Sequence, residues 1–204
     1  MKSLNQIYTD NPADYARNYF ENLSEILKKI DAQAVARFVV MLLEARERGA
    51  MIFFMGNGGS AATASHFAND LVIGTRSPGK PFRVLSLTDN MATLTALAND
   101  FGFDEIFVRQ VKALGRSGDV LVGISASGNS ANLVHAFEHA ACAGIKTFAL
   151  TAFDGGKMRK MADDGIHVPT ASGDYGPAED AHLILDHLVV SYLSRRINQA
   201  VVAA

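Results

Sequence analysis

Apolar positions follow two different periods along this chain. From Pro12 to Ile30 they recur every three to four residues, placing Tyr15, Tyr19, Leu23, Ile26 and Leu27 on one side. Asp31 to Arg48 repeats the pattern through Val35, Phe38, Val39, Leu42 and Leu43. Such spacing gathers side chains on one face of a 3.6-residue turn, so two amphipathic helices are predicted. The period then changes. Met51-Ile52-Phe53-Phe54-Met55 is an unbroken apolar run closed by Gly56, which suits a strand covered on both faces. Similar short runs stand at 82–87, Val120-Leu121-Val122, 147–150 and, more weakly, Ile166-His167-Val168. Helical patterns separate them: about Ser60 to Val72, Met91 to Leu97 with Glu105 to Leu114, Asn129 to Ala143, and Lys157 to Ala162. A long amphipathic helix is predicted from about Pro177 to Ile197. Strands alternating with helices imply an α/β class fold: a three-layer α/β/α sandwich on a five-stranded parallel sheet, preceded by N-terminal helices (residues 1–49).

In open sheets of this kind ligands sit beyond the carboxyl ends of the strands. That rim collects Gly56-Asn57-Gly58-Gly59-Ser60, Thr88-Asp89-Asn90, Ser125 to Ser130 and Thr151 to Gly156. The stretch Gly123-Ile124-Ser125-Ala126-Ser127-Gly128-Asn129-Ser130 is the most telling, because it ends a strand and opens a helix. The free N–H groups of a first helical turn carry partial positive charge, and small side chains let an anion approach them. Serine hydroxyls add donors without adding charge. By itself the pattern also fits a capped helix start. The second glycine turn upstream shifts the expectation to a phosphorylated ligand. Gly56-Asn57-Gly58-Gly59-Ser60-Ala61 also satisfies a loose dinucleotide fingerprint, but Asp89 lies past the spacing at which a ribose-binding acid belongs.

Composition narrows the partners. The 204 residues carry a formal net charge of −2 with no block of like charge, which argues against a nucleic-acid surface. Cys142 is the only cysteine, so neither a disulfide framework nor a cysteine-based zinc ribbon is available. No apolar run approaches membrane-spanning length and the first residues lack the apolar core of a signal peptide, so a cytoplasmic protein without membrane contact is expected.

Histidines and acids supply the candidate chemistry. His66 and Asp70 stand four apart on a predicted helix, and Glu179, Leu183 and His187 form an i, i+4, i+8 row on the last one. Such projections could hold a divalent metal or act as general acid and base. His182 and Asp186 form another i, i+4 pair, a spacing ordinary for a solvated face. His135 and His139 have only Glu138 beside them and are read the same way. There is no G-x-S-x-G nucleophile elbow, so covalent serine catalysis is not expected.

Taken together, Gly56-Asn57-Gly58-Gly59-Ser60, His66-Phe67-Ala68, Asn99-Asp100-Phe101-Gly102-Phe103, Gly118 to Ser130 and Asp154-Gly155-Gly156-Lys157-Met158 resemble the phosphoheptose isomerases. That family belongs to the sugar isomerase (SIS) fold, and the resemblance runs from about Ala34 to Leu193. It implies interconversion of sedoheptulose 7-phosphate and D-glycero-D-manno-heptose 7-phosphate, supplying heptose for lipopolysaccharide or capsule. It also implies a homotetramer with sites at subunit interfaces and, in some members, zinc. Carried over by position, it makes Asn57, Gly58, Gly59 and Ser60 substrate contacts, places Asn99 and Asp100 on the sugar chain, and puts Ser125, Ala126, Ser127 and Ser130 around the phosphate. His66, Asp70, Glu179 and His187 become the metal quartet, with Asp70, His187 and Glu179 the acid–base candidates and Asp70 and Glu179 also touching substrate.

Three positions depart from the family. Asp70 replaces a glutamate, which withdraws its carboxylate by ~1.5 Å, one carbon–carbon bond. Glu179 replaces a glutamine and is expected to compensate, and Ala126 lacks a hydroxyl. These changes leave two alternatives open: isomerisation of another phosphosugar, or a non-catalytic SIS-fold adaptor that binds the replication initiator.

Overall fold

The computed structural model describes residues 2–77 and 79–202. Five parallel strands form one sheet in the order β2-β1-β3-β4-β5, with β1 at Met51–Gly56, β2 at Arg83–Ser86, β3 at Val120–Ser125, β4 at Lys146–Thr151 and β5 at Asp164–His167. Around it lie nine α-helices among the described residues: α1 (Leu4–Ile7), α2 (Pro12–Leu27), α3 (Ala32–Arg48), α4 (Gly59–Asn69), α5 (Met91–Phe101), α6 (Val108–Leu114), α7 (Ala131–Cys142), α8 (Gly156–Met161) and α9 (Tyr175–Val202).

Alternation along β1 builds the two cores. Ile52 and Phe54 face the layer of α3, α4 and α9, while Phe53 and Met55 face α6 and α7. On the first side Phe38 stacks on Phe148 at 4.3 Å and Phe54 on Phe67 at 4.8 Å between ring centroids. Ile26 of α2 and Phe38 of α3 join that same core, so the N-terminal helices pack on the sheet. On the second side Phe107, Phe137 and Met158 close over β3. No described helix is long and apolar enough to cross a membrane.

The element boundaries differ from expectation in instructive places. The helix predicted from Ser60 to Val72 ends at Asn69 and continues as a π-helical turn over Asp70–Gly74, closed by Thr75 N–H donating to the Asp70 carbonyl at 3.1 Å. Apolar spacing does not distinguish a π turn from an α turn over so few residues. The stretch 103–105 is a separate 3-10 turn ahead of α6.

The strand order reverses between β1 and β3, and the turns after those strands are Gly56–Gly59 and Ser125–Ser130. That switch point is where open α/β sheets leave a crevice for ligands. Both sequence-predicted anion turns therefore meet in one place.

Candidate functional site

The serine loop is a preorganised turn. Ser125 Oγ accepts from Gly128 N at 3.1 Å, and Ser127 Oγ accepts from Asn129 N at 3.3 Å. Gly128 has φ +62°, and a Cβ there would collide with the Gly155 carbonyl, so only glycine lets the two rim loops come this close. Asn129 stitches the second loop in place, its Oδ1 accepting from Lys157 N at 3.1 Å. Ser130 is the N-cap of α7, yet its hydroxyl makes no capping bond. A donor is thus left at the positive end of a twelve-residue helix. Ala126 behaves differently from its neighbours: it is buried in the core, so any contact it makes with a ligand comes from its backbone.

Across the crevice, Asn57 and Asn132 hold the glycine turn against the start of α7. Asn57 Nδ2 donates to Asn132 Oδ1 at 3.0 Å and Asn132 Nδ2 donates back to Asn57 Oδ1 at 2.9 Å. The sequence reading missed Asn132. Its position two residues after Ser130, on the first turn of a helix that starts at the rim, was the available signal. Gly58 and Gly59 are exposed at the head of α4 and Ser60 is buried beneath them.

Two levels of side chains follow along α4 and α9, which run side by side in the same sense. At the upper level Glu179 abuts Gly59 so closely that a Cβ on Gly59 would overlap its carboxylate. A carboxylate at a helix N-terminus interacts favourably with the helix dipole. At the lower level His66 meets His187, with Nε2 to Nε2 at 3.4 Å and ring centroids at 5.0 Å. Asp70 Oδ2 lies 3.4 Å from His66 Nε2. The shorter aspartate therefore still reaches the histidines, from the first residue of the π turn.

His66, Asp70, Asp186 and His187 each offer a ligand atom, and these atoms lie within 4.8 Å of one another. Glu179 is not in this group; it stands by the glycine turn. Asp186 joins it instead, against the expectation of a solvated His182–Asp186 face. Both residues are fully buried, because they fall on the stripe of α9 that also carries Ala178, Ala181, Leu185, Val189 and Leu193 into the core. Burial, and then the neighbouring Asp70 charge, push the Asp186 carboxyl up to about 7. Burial drives the His182 imidazole down to about 4; the Thr151 backbone offsets this in part and His167 adds to it. Even so, neither ring nitrogen of His182 has a hydrogen-bond partner of good geometry among the described residues.

The cluster fits a divalent cation on its own chemistry. Two imidazoles and two carboxylates are a borderline donor set of the kind zinc takes, and Asp186 carries two buried oxygens without a partner. Asn99 and Asp100 stay apart from the cluster: they are exposed near the end of α5, where Asn99 Nδ2 donates to Asp100 Oδ1 at 2.8 Å.

Comparison with known proteins bears on the family and the fold. Residues 18–152 match the family model described as SIS domain. The phosphoheptose isomerase of Helicobacter pylori (strain P12) is 40% identical over 175 residues, covering 86% of each chain. The chain belongs to the phosphoheptose isomerase family. Two solved phosphoheptose isomerases share its fold. That from Neisseria gonorrhoeae has a TM-score of 0.80 at 33% identity, over 90% of this chain and 98% of its own. That from Francisella tularensis has a TM-score of 0.82 at 29% identity, over 91% and 99%. Within this phosphoheptose isomerase fold, the Asn57–Asn132 pair ties the glycine turn to the helix after the serine loop, and the histidine cluster lies farther along α4 and α9.

Proposed function

We propose that this chain is an aldose–ketose isomerase acting on a phosphorylated seven-carbon sugar, interconverting sedoheptulose 7-phosphate and D-glycero-D-manno-heptose 7-phosphate. The observation that carries the reading is that α4 opens at the glycine turn, which the Asn57–Asn132 pair ties to the helix after the serine loop, and carries His66 and Asp70 to meet His187 of α9. The relatives named phosphoheptose isomerase support the substrate class.

The reaction needs a remote anchor and a reacting end. Ser125, Ser127, Ser130 and the first N–H groups of α7 anchor the phosphate, and its binding energy fixes the far end of the chain. Asn57, Gly58 and Gly59 present amide and backbone groups to the sugar hydroxyls, with Asn99 and Asp100 on the sugar chain. At the head, a base removes a proton from C1 of the ketose to give an enediol, and a proton is returned at C2. The hydroxyl proton passes from O1 to O2, so the atoms balance without a redox partner. Glu179, Asp70 and His187 are the groups assigned to these transfers. A divalent cation such as zinc, held by the imidazoles and carboxylates of the lower level, would polarise the carbonyl and steady negative charge on the enediol oxygens.

The wider reading is a cytoplasmic homotetramer that provides heptose for lipopolysaccharide or capsule. Exposed apolar Ile73, Leu188 and Tyr192 near the cluster support assembly over the site. Steady-state turnover of sedoheptulose 7-phosphate, set beside sedoheptulose without phosphate, tests the function. Turnover of the ester alone is expected; equal rates with both sugars would remove the anchor from the account.

A further inference from the structure

We infer that Asp186, and not Glu179, supplies the fourth ligand of a divalent-cation site whose other ligands are His66, Asp70 and His187. The inference rests on the proposed function only in placing this site beside the sugar; the ligand set itself follows from geometry.

Position is the first argument. The ligand atoms of His66, Asp70, Asp186 and His187 share a sphere in which none is more than 4.8 Å from another. A zinc ion needs bonds of ~2.0–2.2 Å to nitrogen and oxygen, so donors on opposite sides of it stand within about 4 Å. The cluster needs only small side-chain turns to reach that geometry. Glu179 starts from a different level. Eight residues separate it from His187, about 12 Å along the α9 axis at 1.5 Å per residue. Its carboxylate is packed against Gly59, and Gly59 precedes His66 by seven residues, about 10 Å along α4.

Burial is the second argument. Asp186 has no exposed surface, and neither of its oxygens has a hydrogen-bond partner among the described residues. A carboxylate withdrawn from water without a donor is costly, and native interiors seldom leave one so. A cation shared with His66, Asp70 and His187 gives that carboxylate its missing partner. Two carboxylates also neutralise a divalent charge, so the filled site adds no net charge to a half-buried position. The exposed rim of the same site is the histidine pair, which leaves an entry path.

The ligand set separates two tasks that the i, i+8 spacing of Glu179 and His187 had merged. Asp186 holds the cation from below, while Glu179 remains at the glycine turn, free to exchange a proton with the sugar.

Isothermal titration of zinc into the chelator-stripped full-length chain tests this without any sugar present, alongside thermal melts followed by circular dichroism. Wild-type protein is expected to take up stoichiometric zinc. Asp186→Asn should weaken that uptake by at least about tenfold, whereas Glu179→Gln should leave it unchanged. Asp186→Leu guards against a variant that merely misfolds: removing an unpartnered buried carboxylate should preserve or raise the melting temperature in chelator, and zinc should no longer raise it. Zinc affinity that falls with Glu179→Gln and survives Asp186→Asn overturns the inference. So does a wild-type chain that binds no zinc, or an Asp186→Leu chain that zinc still stabilises. Sedoheptulose 7-phosphate turnover by the wild type is measured separately, so the isomerase reading can stand where the ligand assignment fails.

Discussion

Asn57 and Asn132 exchange two amide hydrogen bonds, of 3.0 and 2.9 Å, beyond the carboxyl ends of the paired strands β1 and β3. The pair couples the glycine turn to the head of α7, and so ties together the two turns proposed to hold the sugar and its phosphate. Replacing Asn132 by Ala leaves Asn57 without its partner in a half-buried place. A loss of about 1–3 kcal/mol in unfolding free energy is expected from denaturant melts. The Michaelis constant should rise more than the turnover number falls, because the pair positions binding groups.

Ser130 allows binding to be separated from stability. An N-cap serine replaced by alanine usually costs about 1 kcal/mol, but this hydroxyl makes no capping bond. Ser130→Ala should therefore leave the melting temperature nearly unchanged while weakening inhibition by inorganic phosphate. Ser125→Ala should lower the melting temperature as well as weaken phosphate inhibition, since Ser125 Oγ accepts from Gly128 N within the loop. Inhibition constants and melts on the two variants check the contrast.

His182 gives a pH signature. Its folded value, lowered to about 4 by burial, lies below the ordinary 6.5 of the unfolded chain. Below pH 6.5 the unfolded state takes up a proton that the folded state refuses, so acidification costs stability until about pH 4. Relative to His182→Leu, the wild type should lose roughly 3 kcal/mol across that window. The subtraction matters because Asp186, raised to about 7, contributes with the opposite sign over an overlapping range. Urea melts of both proteins in chelator, at several pH values, read the difference directly.

Tyr19 of α2 donates its hydroxyl to Asp180 Oδ2 at 2.5 Å, one residue beyond Glu179. The acid raises the Tyr19 phenol well above its ordinary range, with burial the larger cause, so the proton stays on tyrosine. Tyr19→Phe removes a hydrogen bond to a charged group, worth about 1.5–3 kcal/mol. It should loosen the start of α9, seen as faster amide hydrogen exchange across Gly176 to Asp180.

The fold was legible because apolar runs and apolar periods carry the same information as the cores they form. Met51 to Met55 reads as a strand buried on both sides, and Ile52 to Met55 do alternate between two cores. The rim turns were legible through their serines and glycines. What sequence spacing misjudged was which polar residues lie inside. His182 and Asp186 look like a surface pair at i, i+4, yet Asp186 interrupts Leu183-Ile184-Leu185 and Leu188-Val189-Val190. Asp186 stands one turn from Val189 and two from Leu193 on the buried stripe of α9, and that helical phase outranks pair spacing. The level of Glu179 could not be read from sequence, because it depends on how α4 and α9 align. The π turn at Asp70 was equally hidden, since it turns on backbone register.

The central claim is proton movement between adjacent carbons of a phosphate-anchored ketose. Sedoheptulose 7-phosphate incubated with the protein in deuterium oxide, followed by proton NMR, tests it most directly. The wild type should replace a C1 hydrogen of the ketose by deuterium and place deuterium at C2 of the aldose as the aldose resonances grow, and His187→Gln should bind the ester yet leave the C1 proton signals intact. Saturating, bound ester whose C1 protons never exchange with solvent would contradict the account.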